Sequence, residues 1–214
     1  MGNKLLGILG VAMVVASLAM GAFASAWPNG AAGMMGWGQA GGQTGASGTI
    51  SMDDAQKAAQ TVVDRYPGSD LALDEIMEFQ NNFYVLVKEK ASGTGAFELL
   101  VDRQRGTVYP EPGPDMMWNT KYGMMSGSMM GSGQTAGPMT VTAEQASRLA
   151  QSWLNVNQKG NSVGKTDTFY GYYTFDFLAA NGRPAGMLSV NGYTGQVWYH
   201  TWHGGFVAQK ELGG

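Results

Sequence analysis

The chain has 214 residues, enough for one or two ordinary domains, with a formal charge of −3 and only 14% charged residues. Charge this weak and unclustered argues against nucleic acid as a partner. Cysteine is absent, which excludes disulfides, Cys-ligated zinc, iron–sulfur clusters, covalent haem attachment and a lipoprotein-type anchor.

Residues 1–26 read MGNKLLGILGVAMVVASLAMGAFASA. Lys4 supplies a positive start, residues 5–21 are apolar or small, and Ala22-Phe23-Ala24 has the small-x-small form of a signal-peptidase site. The run is long for a signal peptide and short for a membrane span, and no basic residue follows until Lys57. The segment therefore reads as a cleaved signal peptide or as an uncleaved N-terminal anchor. Either way the rest is expected outside the cytoplasm: periplasmic, extracellular, or membrane-anchored and facing outward. Membrane contact is expected only through residues 5–21, and only if they are retained. Residues 27–49 are rich in Gly and Ala and uncharged, a composition that cannot bury enough apolar surface to fold, so they read as a disordered spacer.

Two helix signals come next. Ser51-Met-Asp-Asp54 and Thr142-Ala-Glu-Gln145 each place a hydroxyl three residues before an acidic or amide side chain, the spacing of a capping box. Apolar residues then recur at helical spacing, at Ala55, Ala58, Ala59, Val62, Val63 and Tyr66, and at Ala146, Leu149, Ala150, Trp153 and Leu154. This pattern predicts Val62 on a buried face of the first helix, and Leu149 and Trp153 on that of the second. Each helix signal is followed by four strand-like runs: 71–79, 83–89, 96–102 and 107–109, then 166–170, 172–178, 185–191 and 196–200. Asn, Gly and Pro clusters separate them; Asn181-Gly182 is a strong hairpin signal.

The two segments align with each other. Ser51, Ala55, Ala59 and Gln60 match Thr142, Ala146, Ala150 and Gln151 at an offset of 91. Tyr84, Ala96, Val101, Gly106 and Val108 match Tyr173, Ala185, Val190, Gly195 and Val197 at an offset of 89. The predicted class is α+β: two repeated modules, residues 50–112 and 140–208, each one helix packed on a small antiparallel β-sheet. A Met/Gly-rich linker, residues 113–139, joins them.

A helix followed by a meander that closes on Val-Asp-x-x-x-Gly-x-Val resembles the PepSY domain family. The residues that carry the resemblance are 55–66 with 97–108, and 146–154 with 187–197; Arg105 and Asn191 depart from the family's usual Thr and Asp. The resemblance implies a small α+β unit in secreted or membrane-tethered proteins, often tied to peptidase propeptides or to inhibition. It implies no catalytic residues. The expectation is a non-enzymatic accessory protein that binds another extracytoplasmic or membrane protein, such as a peptidase.

A second expectation comes from the residues themselves. Of 15 methionines, six form pairs in the linker: Met116/Met117, Met124/Met125 and Met129/Met130. Thioethers are soft ligands suited to Cu(I), and the Trp118 indole next to the first pair can cap such an ion. His200 and His203 are the only histidines, spaced to share a metal on a turn, with no carboxylate in their motif. These eight residues are the candidate metal ligands. Residues 160–166, GNSVGKT, fall one residue short of a phosphate loop, and the common hydrolase and calcium motifs are absent.

Overall fold

The computed structural model describes residues 48–66, 70–123 and 137–213. The leader, nearly all of the spacer, and Met124, Met125, Met129 and Met130 lie outside the described residues. No helix among the described residues is long and apolar enough to cross a membrane.

Both predicted caps form. The Ser51 hydroxyl accepts the Asp54 N–H at 3.1 Å and starts α1 (Met52–Val63). Thr142 starts α3 (Ala143–Asn157) with a full capping box: its hydroxyl accepts the Gln145 N–H, and Gln145 Oε1 accepts the Thr142 N–H at 2.8 Å. α1 buries Ala55, Ala59, Val62 and Val63, as expected. α3 buries Ala146, Ala150 and Leu154, while Leu149 is 39% exposed and Trp153 only half-buried. The expected face is thus rotated. Alanine at 146 and 150 lets the helix backbone come close to the sheet, and the bulkier side chains are left to its flanks. Trp153 stacks there on Tyr199, with ring centroids 5.4 Å apart.

The strands form two antiparallel sheets. The first contains β1 (Leu71–Phe79), β2 (Asn82–Glu89), β3 (Gly95–Asp102) and β4 (Val108–Pro110) as a meander. A five-residue helix, α2 (Pro114–Trp118), follows it. The second sheet is the meander β5 (Ser162–Thr168), β6 (Tyr172–Leu178), β7 (Pro184–Asn191) and β8 (Val197–Tyr199). The chain then returns to the first sheet. Its last strand, β9 (Phe206–Glu211), pairs antiparallel with β1, with Met77 opposite Gln209, and gives the order β4-β3-β2-β1-β9. Neither α2 nor β9 is predicted by the sequence pattern.

Period-two alternation sorts the strand residues into layers. Phe83, Val85, Val87, Phe97, Leu99 and Val101 pack with α1, and Tyr173, Phe175, Phe177, Leu188 and Val190 pack with α3. The opposite faces meet each other: Met77, Phe79, Tyr84, Leu86 and Leu100 of the first sheet form one cluster with Phe169, Tyr172 and Met187. The order is helix, sheet, sheet, helix. This corrects one sequence pairing. Tyr84 faces the other sheet whereas Tyr173 faces α3, so the residue in the place of Tyr173 is Phe83; Phe83 pairs with Val101 as Tyr173 pairs with Val190. A one-residue slip reverses every side chain in a strand.

The turns that close β3 and β7 have the same construction. Asp102 Oδ1 accepts the Gln104 and Arg105 N–H groups, and Asn191 Oδ1 accepts those of Tyr193 and Thr194. Gly106 (φ 65°) and Gly195 (φ 72°) then donate to the Asp102 and Asn191 carbonyls, each at 2.9 Å. The left-handed conformation at both positions is what selects glycine.

Candidate functional site

The layer between the sheets is not purely apolar. It holds a group of buried acids and both histidines: Glu98, Glu111, Asp115, His200 and His203, none more than 3% exposed. Ionisable groups this deep are rare unless paired, because burial removes the water that stabilises their charge.

Two chain exits deliver the group. Glu111 directly follows β4, and its N–H donates to the Glu98 carbonyl at 2.9 Å. His200 directly follows β8, and its N–H donates to the Met187 carbonyl at 3.1 Å. These two residues are 89 positions apart, the offset at which the sequence of β3 aligns with that of β7. His203 comes from the turn between β8 and β9. Asp115 is supplied by α2, which enters through Gly113 (φ 83°) beneath Trp198 and Trp202 and then Pro114 at its first position.

One half of the group is fully hydrogen-bonded. Glu98 accepts the Tyr84 hydroxyl at 2.7 Å and the Tyr172 hydroxyl at 2.8 Å, and Tyr172 also lies 3.0 Å from Asp115 Oδ1. Tyr172 has a single proton to donate, so one of the two carboxyls must carry the other. Burial agrees: it pushes Asp115 up to about 7, and burial together with the Glu111 charge pushes Glu98 well above the carboxylate range. Asn119 completes this half by donating to Asp115 and to the Ala96 carbonyl.

The other half is not satisfied. Glu111 Oε1 lies 2.9 Å from His203 Nε2 and 3.4 Å from His200 Nδ1, and accepts the Trp202 indole N–H at 3.0 Å. Yet Glu111 Oε2, His200 Nδ1 and His203 Nε2 are left without a hydrogen bond of good geometry. Burial alone would raise the Glu111 carboxyl, but the two imidazoles outweigh it and hold it below the carboxylate range. Burial keeps His203 below the ordinary imidazole value.

The remote nitrogens of both rings are held in place. His203 Nδ1 meets Asn82 Oδ1 at 2.9 Å, and Asn82 spends its amide N–H on the Trp202 carbonyl, so its oxygen is the acceptor. His203 Nδ1 therefore carries a proton, and Nε2 faces Glu111. His200 Nε2 meets the Ser189 hydroxyl at 3.0 Å, which meets Thr174 at 2.9 Å. Phe79 stacks on His203 and Trp202 on His200. One ligand atom each from Glu111, His200 and His203 lies within 4.8 Å of the other two.

Of the residues that the sequence nominates, His200 and His203 are thus brought together, with Glu111 as the third group. On α2, Met116 is half-buried and Met117 is 52% exposed. Met124, Met125, Met129 and Met130 lie outside the described residues. Glu111, Glu98 and Asp115 are missed by motif reading because they are distant in sequence. The offset of 89 is the signal that could have found Glu111, since it carries His200 onto that residue.

No family model matches the chain, and no curated protein matches it. Among solved structures, the C-terminal domain of YpeB from Bacillus megaterium is similar over 70% of this chain, at 8% identity and a TM-score of 0.26. The match spans 61% of that structure.

Proposed function

We propose that the protein is an exported accessory protein made of two copies of one PepSY-like unit, and that it acts by binding another extracytoplasmic protein, with a peptidase as the first class to test. The observation that carries this reading is the equivalence of backbone construction at matching positions. Capped helices bury Ala55 and Ala59 in one half and Ala146 and Ala150 in the other, all fully buried. Side-chain-closed turns at Asp102 and Asn191 then end the third strand of each meander. Binding rather than turnover is favoured by the placement of the ionisable cluster, whose groups are buried between the sheets rather than lining an open cleft.

The test is to cross-link the full chain in the envelope of cells that make it, identify what is captured, and titrate the purified partner with purified protein. A stoichiometric complex, with inhibition where the partner is a peptidase, is the expected result. Capture of nothing but the protein itself at natural abundance, or turnover of a substrate by the purified chain, would overturn the reading.

A further inference from the structure

We infer that Glu111, His200 and His203 form a binding site for one borderline divalent cation of the Zn(II) class. The site goes beyond the accessory role proposed above and does not depend on it.

His203 Nε2 and Glu111 Oε1 stand 2.9 Å apart in the interior. A buried carboxylate needs a positive partner. A shared proton would serve the Glu111–His203 pair alone and leave the other unpartnered atoms unserved. A cation placed among the three groups serves all of them, since one ligand atom of each lies within 4.8 Å of the others. Each of the three groups has an atom left unpartnered there: Glu111 Oε2, His200 Nδ1 and His203 Nε2.

The surrounding shell points the same way. A ligating histidine almost always has its other ring nitrogen hydrogen-bonded, which fixes the tautomer and aims the free lone pair. The remote nitrogens of both rings are hydrogen-bonded, His203 through Asn82 and His200 through Ser189 with Thr174. The carboxylate is steadied by the Trp202 indole N–H at 3.0 Å. Phe79 and Tyr84 flank His203, and Trp202 covers His200, so the charges face one another in an apolar setting. These features all converge on the same point.

Size and ligand character select the ion. Zinc bonds of about 2.0–2.2 Å in a tetrahedral set bring ligand atoms to about 3.3–3.5 Å of one another. The atoms here lie within 4.8 Å, and two of the contacts are already 2.9 and 3.4 Å, so small side-chain shifts close the site. Two imidazole nitrogens and a carboxylate oxygen suit a borderline divalent ion, whereas Cu(I) prefers thioethers and thiolates. The site also ties the exit of the first sheet to the turn that launches β9, so the ion is expected to hold the final strand in place.

The experiment strips the purified full chain with a chelator and titrates it with Zn(II) against a colorimetric competitor at fixed pH. One equivalent should bind, with a change in tryptophan emission from Trp202 and a rise in melting temperature. Glu111→Gln and His203→Gln should each weaken binding at least 100-fold, while a variant with the six linker methionines changed to Leu binds as wild type does. Co(II) in place of Zn(II) should give weak d–d bands without thiolate charge transfer. Because wild type alone is decisive, a variant that fails to fold does not rescue the idea. Failure of folded wild type to bind Zn(II) or Co(II) would overturn it. So would stoichiometric Cu(I) binding that survives His200→Ala/His203→Ala and is lost in the Met→Leu variant.

Discussion

Asp176 offers a test of the interior that is independent of any ligand. It lies on β6, 8% exposed, on the side of the strand that faces the first sheet. Burial pushes its carboxyl from the ordinary 3.8 up to about 8, helped by Glu75, Asp167 and Glu211 and opposed by Lys165. Lys165 is already engaged by Glu75 at 2.8 Å and by Glu211 at 3.3 Å. The folded protein therefore holds a proton that the unfolded chain loses near pH 4. Between about pH 4 and 8 the native state binds more protons than the unfolded state, so stability falls as pH rises through that window and levels off above it. At about 1.4 kcal/mol per unit the ceiling is about 6 kcal/mol, and relaxation of the site reduces this to roughly 3–4 kcal/mol. Asp176→Asn keeps the shape and removes the proton. It should stabilise the fold by about 1 kcal/mol at pH 5 and by roughly 3–4 kcal/mol at pH 9. Urea unfolding followed by tryptophan fluorescence, with chelator in every sample, measures the difference at pH 5, 7 and 9. A difference that stays constant with pH, or a variant less stable at pH 9, would show that Asp176 is not held protonated.

Three further outcomes follow from the packing. Thr142→Ala removes the hydroxyl half of a capping box and should cost about 1 kcal/mol in the same urea assay. Trp153→Ala should cost about 1–2 kcal/mol, below the 3–5 kcal/mol typical of a fully buried aromatic; a loss in the larger range would mean that the flank of α3 is more enclosed than the structure shows. A protease site engineered between Ser126 and Thr135 and then cut should leave two fragments that co-elute in native gel filtration, because β9 of the second is paired with β1 of the first. Fragments that separate without denaturant would contradict the strand exchange.

The regular elements were legible because their signals are local. Alternation and turn residues mark β1 and β6 to the residue, and both helix caps are written in four-residue motifs. What was not legible depends on contacts distant in sequence. Phe206–Glu211 has only three apolar residues, half-buried or exposed, and becomes a strand because β1 offers an open edge. Pro114–Trp118 is too short for a helical period and forms around Gly113 and the tryptophans above it. The slip that misplaced Tyr84 comes from a turn one residue longer in the first half, residues 89–94 between Lys88 and Gly95 against 179–183 between Leu178 and Pro184. Sequence identity at Tyr84 and Tyr173 hid it. The histidine pair was visible, but its carboxylate could be found only by taking the repeat seriously as geometry.

That geometry explains why the candidate cation site lies where it does. On the duplicated reading, Glu111 and His200 are the same position in two copies, each the first residue past the fourth strand and each anchored by its N–H to the third. Two copies stacked face to face bring such a position close to its own image. Two carboxylates at that distance repel, and one would stay protonated; two neutral imidazoles leave the pair without charge. One of each gives a site with a single negative charge and two kinds of lone pair, a combination open to a duplicated chain and closed to a symmetric dimer of identical units. The third candidate ligand shows the same divergence. At the offset of 89, His203 corresponds to Pro114, where the first half turns into α2 and supplies Asp115, while the second half turns toward β9 and supplies an imidazole. The site therefore exists only when both sheets are stacked. Metal affinity should be lost when the two cut fragments are separated in denaturant and refolded apart, and should return when they are mixed.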